Sequence, residues 1–328
     1  MRLDFLISSE RSGSNLITKL IDTHSLYIGP SPVHLIRSFA LSMPKYGSLS
    51  NNKNWDTFIV DIYDFFNFKI GIWNSSFSFD ELLDINDRSL EGVINYLYAK
   101  EAKSFNKNYV FVKEVKTYLF YDFIKKKFNN AKFIWLIRDP RDVASSWSKS
   151  PVHRGDIVRG SNVWKEDQLK TMSLYKELIH SNQILLVKYE DLITNQAEVT
   201  KSICSFLEVE YEPTMINFHQ NKLASKNAIQ TDNWKNLNRK IITTNHKKYL
   251  KSLSKKQIQY IEYLCREEMK YFDYKNEYPI ITEIEFNKLS DALNKEERFE
   301  KKEYQLIDAK EKQKREIWQR KFFEITSK

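Results

Sequence analysis

Asp4-Phe5-Leu6-Ile7-Ser8 is a short apolar run that passes through Ser9-Glu10-Arg11-Ser12-Gly13-Ser14-Asn15 into Leu16, Ile17, Leu20 and Ile21 at helical spacing. An apolar run closed by small polar residues reads as a strand buried on both faces. A glycine-containing polar loop then leads straight into a helix. This opening restricts the chain to an α/β architecture in which ligands gather at the carboxyl ends of the strands. Three further buried strands are predicted at Tyr109-Val110-Phe111-Val112, Lys132–Ile137 and Ile184–Lys188. Helical patterns follow two of them, at about 118–127 and 141–149. The alternation predicts a parallel central sheet flanked by helices.

Between Ser31 and about residue 105 the pattern is irregular and aromatic, with Trp55, Phe58, Tyr63, Phe65, Phe66, Phe68 and Trp73. We read it as helices and loops inserted as a lid or substrate wall, whose aromatics would give an apolar or sugar-stacking surface, although helix cores use the same residues. From residue 283 to 328 the chain becomes charged, with sparse apolar positions such as Leu289, Leu293, Phe299, Ile307, Ile317 and Phe322. This is a helical tail that packs on its own domain or on a partner, which leaves a homodimer through these helices open. The expected division is one domain over 1–282 and the tail over 283–328.

Composition excludes several classes. With 41% hydrophobic and 14% aromatic residues the chain is globular, not disordered. No apolar stretch is long enough to span a membrane. Met1-Arg2-Leu3-Asp4 runs directly into the first strand, leaving no room for a signal peptide, so the cytoplasm is the expected compartment. Cys204 and Cys265 both fall in helix-like apolar patterns and read as buried thiols. No metal-binding cluster is visible. The formal charge of +9 admits a nucleic-acid partner, but the lysines are scattered and form no stripe with interleaved aromatics. A polyanionic small ligand requires the same positive potential.

The loop chemistry favours that ligand. Consecutive backbone N–H groups and the positive end of a helix would face an anion at Ser12-Gly13-Ser14-Asn15. Gly13 permits close approach, Ser12 and Ser14 add hydroxyls, and Arg11 adds a forked cation. A nucleoside-triphosphate loop would need Gly-Lys-Ser/Thr, and no lysine stands there. The strand at 132–137 ends in Arg138, and the helix after it brings Ser146 toward the same side. This pair suits a second, separate phosphate, against the plainer alternative that Arg138 only pairs with Asp139 or Asp142. Arg141 is assigned that plainer role.

Phe5–Ile17, with Arg11-Ser12-Gly13-Ser14-Asn15 at its centre, resembles the 5′-phosphosulfate loop of the sulfotransferase family. Lys132–Ser146 is similar to that family's 3′-phosphate motif, whose Arg and Ser fall on Arg138 and Ser146. Val187-Lys188-Tyr189-Glu190-Asp191-Leu192 resembles the family's Arg-Tyr-Glu-Asp-Leu segment and brings Tyr189 to the cofactor. Thr231-Asp232-Asn233-Trp234-Lys235 resembles its late Gly-Asp-Trp-Lys segment. The resemblance covers roughly residues 3 to 275. It implies a P-loop-like sulfotransferase fold and an enzyme that transfers a sulfuryl group from 3′-phosphoadenosine 5′-phosphosulfate (PAPS) to a small-molecule, lipid or carbohydrate acceptor. The chain departs from the family in two places. Arg11 stands where the cytosolic branch has lysine. The glycine-rich late loop is replaced by Ala224-Ser225-Lys226-Asn227-Ala228, which makes Ser225 and Lys226 the candidates for a third contact to the 3′-phosphate.

The transfer needs a base for the acceptor's proton and cations for charge on the bridging oxygen. Arg11 and Lys113 supply cations, Lys113 standing where many bacterial members carry a lysine. His34, in Pro32-Val33-His34-Leu35, is the first candidate base. Its segment is similar to the Pro-Pro-Glu-Leu-His-Leu segment of sulfotransferase domains in curacin and olefin-synthase assembly lines, with Pro32 where those have glutamate. Glu114 is the second candidate: some carbohydrate-type members carry a Glu–Lys pair here, in the reverse order. His24 is expected to be structural. The alternative from another class is a non-catalytic nucleotide- or nucleic-acid-binding protein on a similar α/β fold.

Overall fold

The computed structural model describes residues 1–220, 226–231, 234 and 237–327. Its centre is a five-stranded parallel sheet in the order β2-β3-β1-β4-β5. In chain order the elements are β1 (Arg2–Ser8), α1 (Ser14–Asp22), β2 (Tyr27–Ile28), α2 (Leu35–Phe39), α3 (Asn52–Asn67), α4 (Phe79–Leu83) and α5 (Leu90–Lys103). There follow β3 (Tyr109–Lys113), α6 (Tyr121–Lys127), β4 (Phe133–Ile137), α7 (Pro140–Ser148), α8 (Ile157–Leu178), β5 (Ile184–Lys188), α9 (Tyr189–Thr194) and α10 (Gln196–Phe206). The four strands expected from sequence are present. The fifth, β2, is only two residues long, too short to leave a periodic signal, and pairs Tyr27 and Ile28 with Tyr109 and Val110.

The alternation of side chains explains why the strands read as unbroken apolar runs. Leu3, Phe5 and Ile7 of β1 face one layer, with Trp135 and Ile137 of β4. Leu6, Ile134 and Leu136 face the other, against Ile17, Leu20 and Ile21 of α1. Both faces are buried, so both parities must be apolar. The strand order switches direction on either side of β1, which opens a crevice at the carboxyl ends of β1, β3, β4 and β5.

Segment 31–105 forms α2 to α5, and of the two readings open for its aromatics, wall or helix core, the structure has core for most of them. Trp55, Phe58 and Phe65 are at most 1% exposed, and Phe39 meets Phe58 and Phe65 edge to face. Each such ring contributes about 2–3 kcal/mol of burial, which a solvent-facing wall would forgo.

The tail folds back on its own chain. Its last helix, Ala309–Ser327, lies on α2 and α3, with Trp318 against Phe65 and Phe322. Lys321 pairs with Asp64 at 2.9 Å, and Lys45 donates to the Thr326 carbonyl at 2.9 Å. No helix among the described residues is long and apolar enough to cross a membrane.

Candidate active site

A cleft of about 690 Å³ opens at the carboxyl ends of the strands. Four of the five strands deliver residues to it as they end: β1 Glu10, Arg11 and Gly13–Asn15, β3 Lys113 and Glu114, β4 Arg138, and β5 Tyr189. Residues far apart in sequence therefore converge because the strands are parallel.

The first loop is built around Gly13, which caps α1 at φ 94°. A Cβ there would lie 2.3 Å from the Tyr189 ring, so both the backbone angle and the space require glycine. No side chain caps α1 and no acid stands in its first turn, which leaves its positive end open to the cleft. The Ser12 hydroxyl is fully buried without a hydrogen-bond partner.

The Arg138 end of the cleft is joined to this loop. Arg11 Nε donates to Ser146 Oγ at 3.0 Å, and Arg138 Nη1 donates to the Arg11 carbonyl at 3.2 Å. Arg138 Nη2 binds the Asn245 carbonyl at 2.9 Å, while its buried Nε has no partner. Its guanidinium lies 4.3 Å over the Tyr189 ring and 3.8 Å from Asp142. Asn245 Nδ2 donates to Tyr189 OH at 2.6 Å. Tyr189 is thus a pillar between Gly13 and Arg138 that fixes the spacing of the two groups.

The sequence Arg138-Asp139-Pro140-Arg141 folds as it does for local reasons. Asp139 caps α7 by accepting from the Arg141 N–H at 2.9 Å, and Pro140 takes the first helical position. Arg141 has the structural role expected of it, holding both Asp139 oxygens and, at 2.5 Å, Glu262. Ser145 is held by Ser252 at 2.7 Å, which leaves Ser146 as the serine on Arg11.

On the β3 side, Lys113 donates to Asn15 Oδ1 across the cleft. Burial brings its ammonium down to about 8, and Arg11 and Lys19 add to this against Glu10. His34 precedes α2 at φ 64°, and Arg11 at φ 69° is the other cleft residue held in the left-handed region that non-glycine residues seldom occupy. His34 Nδ1 faces Glu114 Oε2 at 3.6 Å, and neither of these buried atoms has a hydrogen-bond partner. The other Glu114 oxygen accepts the Ile36 N–H at 3.3 Å. The two residues considered separately as bases are therefore one pair, with Glu114 3% exposed behind His34. His24 is structural: Nδ1 accepts the Leu26 N–H and Nε2 donates to the Glu210 carbonyl.

Not every expected residue arrives. Ser12 is fully buried and outside the cleft lining, so its hydroxyl is not offered to a ligand there. Lys226 is exposed and outside the cleft lining, because the turn of helix that carries it points it to solvent. Ser225 lies outside the described residues. The cleft lining also holds Lys149, Lys240 and Lys248, which local pattern does not single out. Glu10 and His153, also unforeseen, pair at 3.4 Å within the cleft. Crowding acts to raise the Glu10 carboxyl, but His153, Arg37 and His34 outweigh it and hold the carboxyl down at about 2. The aromatic wall comes from Trp234 and, over His34 with ring centres 5.8 Å apart, from Trp318 of the terminal helix.

Comparison with known proteins agrees with this arrangement. The sequence profile of the sulfotransferase family matches residues 5–213. The chain belongs to the sulfotransferase family. The fold is similar to that of the sulfotransferase domain from the Synechococcus PCC 7002 olefin synthase, with 16% identity, a TM-score of 0.54 and coverage of 90% of this chain and 94% of that one. Mouse sulfotransferase SULT7A1, solved with PAP, is a more distant likeness at 14% identity and a TM-score of 0.47, covering 90% and 88% of the two chains. None of the curated proteins matches this sequence.

Proposed function

We propose that this sulfotransferase uses PAPS as donor and a hydroxyl or amine as acceptor, with His34 as base. The observation that carries the reading is the direct linkage of two anion-binding groups, Arg11 to Asn15 and Arg138 with Ser146, in one cleft that also holds the His34–Glu114 pair. The fit to a bis-phosphorylated adenosine rests on donors left over by the fold. Arg138 Nε and the uncapped start of α1, both in residues that line the cleft, have no protein partner to satisfy them.

When bound, the donor supplies the sulfuryl group, whose bond to the 5′-phosphate oxygen breaks as a bond to the acceptor atom forms. The α1 N–H groups, Arg11 and Lys113 hold the charge that collects on the leaving oxygen. Arg138 and Ser146 hold the 3′-phosphate, with Lys240 and Lys248 as further cations in place of Lys226. His34 Nε2 takes the acceptor's proton, and Glu114 stabilises the imidazolium that results. Among the described residues, the nine Lys and Arg side chains that line this one cleft suit a compact polyanion better than an extended nucleic-acid strand.

Thermal shift tests the donor. We expect 3′-phosphoadenosine 5′-phosphate (PAP) to raise the melting temperature well beyond ATP or AMP, and Arg138→Ala to abolish the difference. An equal response to ATP overturns the assignment.

A further inference from the structure

The charge of the cleft narrows the acceptor. Nine Lys and Arg side chains and three carboxylates line the cavity among the described residues, an excess of six positive charges. The donor brings about four negative charges, roughly two of them on its 3′-phosphate. About two positive charges are left over, and their position matters more than their number. Lys149 closes α7, and Lys248 precedes the turn whose Tyr249 N–H binds Asp142, so both belong to the Arg138 side.

Arg37, Lys69 and Arg315 lie elsewhere. Arg37 is one helical turn after His34, and Arg315 is one turn before Trp318, whose ring stands over His34. Side chains three apart share a helix face, so both guanidinium groups flank the base. Arg315 is aimed by Glu311, at 2.7 and 2.8 Å, and by Thr231, at 3.2 Å. Arg37 lies 4.9 Å over the Phe322 ring, with the Glu10 carboxylate as its nearest counter-charge.

Lys69 is the least compensated of the three. Its ammonium reaches only the Phe66 carbonyl, at 3.3 Å, and the Phe66 ring, and among the described residues no carboxylate lies within ion-pair distance. Burial, with Lys314 of the terminal helix adding like charge against the opposing pull of Glu101, brings it down to about 8. A buried ammonium without an ion-pair partner beside an open cavity gains stability whenever an anion enters.

We propose that the acceptor carries, besides its reacting hydroxyl or amine, an oxyanion (carboxylate, sulfate or phosphate) that Lys69, Arg315 and Arg37 hold while Trp318 covers the face beside His34. The terminal helix is then part of the acceptor site, and Lys69 and Arg315 determine specificity. The inference rests on the sulfuryl-transfer reading, and the test separates the two.

The probes are 4-hydroxyphenylacetate and its methyl ester, identical in their phenol and different in charge. Calorimetry on the PAP-saturated full chain should show the acid binding at least tenfold tighter than the ester. Lys69→Gln should cut the acid's affinity about tenfold, and Arg315→Gln should do the same, with PAP affinity and the ester's affinity unchanged. With PAPS as donor, the acid's kcat/KM advantage should fall in parallel. The proposal is overturned if acid and ester bind alike, including if neither binds, or if Lys69→Gln lowers both equally. Failure to bind PAP at all would instead sink the donor reading.

Discussion

Glu114→Gln isolates the contribution of the charge behind His34. The substitution keeps the shape of the side chain, and one oxygen can still accept the Ile36 N–H. It removes the negative charge 3.6 Å from His34 Nδ1 and puts an N–H donor in its place. Two unit charges at that distance attract by about 4–5 kcal/mol at an effective dielectric near 20. Part of this already offsets the cost of burying a carboxylate that is 1% exposed. A net loss of about 3 kcal/mol at the transition state lowers kcat by roughly 10²–10³-fold. The amide would also favour the tautomer with Nε2 protonated, which cannot take a proton from the acceptor. The assay is kcat at saturating PAPS with PAP affinity measured in parallel. PAP binding should be unchanged, and the double variant His34→Ala/Glu114→Gln should be no slower than His34→Ala alone. A Glu114→Gln enzyme that keeps more than a fifth of its kcat refutes the pairing. So does one that loses PAP affinity as fast as it loses rate.

Lys113, brought down to about 8, is a cation below that pH and neutral above it. A bound anion favours the cation, so PAP affinity should be flat below pH 8 and fall about tenfold by pH 9, and Lys113→Met should flatten the profile; constant affinity from pH 7.5 to 9.5 would contradict this. Gly13→Ala puts a Cβ into the Tyr189 ring at a φ of 94°. The left-handed backbone costs about 1–2 kcal/mol and the overlap about 1–3 kcal/mol, so the melting temperature should drop by several degrees and PAP binding should be lost; an unchanged melting curve would show that the pillar gives way easily.

The convergence of the first loop with Arg138 and Ser146 is legible in sequence because each of its parts is local. A buried strand, a glycine turn and a helix start are contiguous between Asp4 and Ile21, and Arg138 follows its strand directly. Parallel strands then carry these short signals to one edge without further information. The His34–Glu114 pair was half legible, since both residues stood out but only the adjacency of α2 to the end of β3 joins them. Aromatic residues left both readings open between 31 and 105, because composition does not tell a core ring such as Phe58 from a wall ring such as Trp318. Trp318 sits on a helix with charge on every side, where nothing local marks it as facing a base nearly three hundred residues earlier.

The two halves of the cleft are also held by different forces. The donor half is wedged together by buried groups: Tyr189 between Gly13 and Arg138, and Arg141 locked on Asp139 and Glu262. Removing one partner from such a buried pair costs about 3–5 kcal/mol, so this half resists change. The acceptor half depends on a helix attached by Trp318, Phe322, the buried Ile325 and partly exposed pairs such as Lys321 with Asp64. A surface pair of that kind is worth about 0–1 kcal/mol. On the proposed function, substitutions at Arg315 or Lys69 should alter what is accepted at small cost to the fold, whereas substitutions at Gly13 or Arg138 should damage donor binding and stability together. A rigid donor site with a replaceable acceptor wall is the arrangement that lets one reaction serve many acceptors.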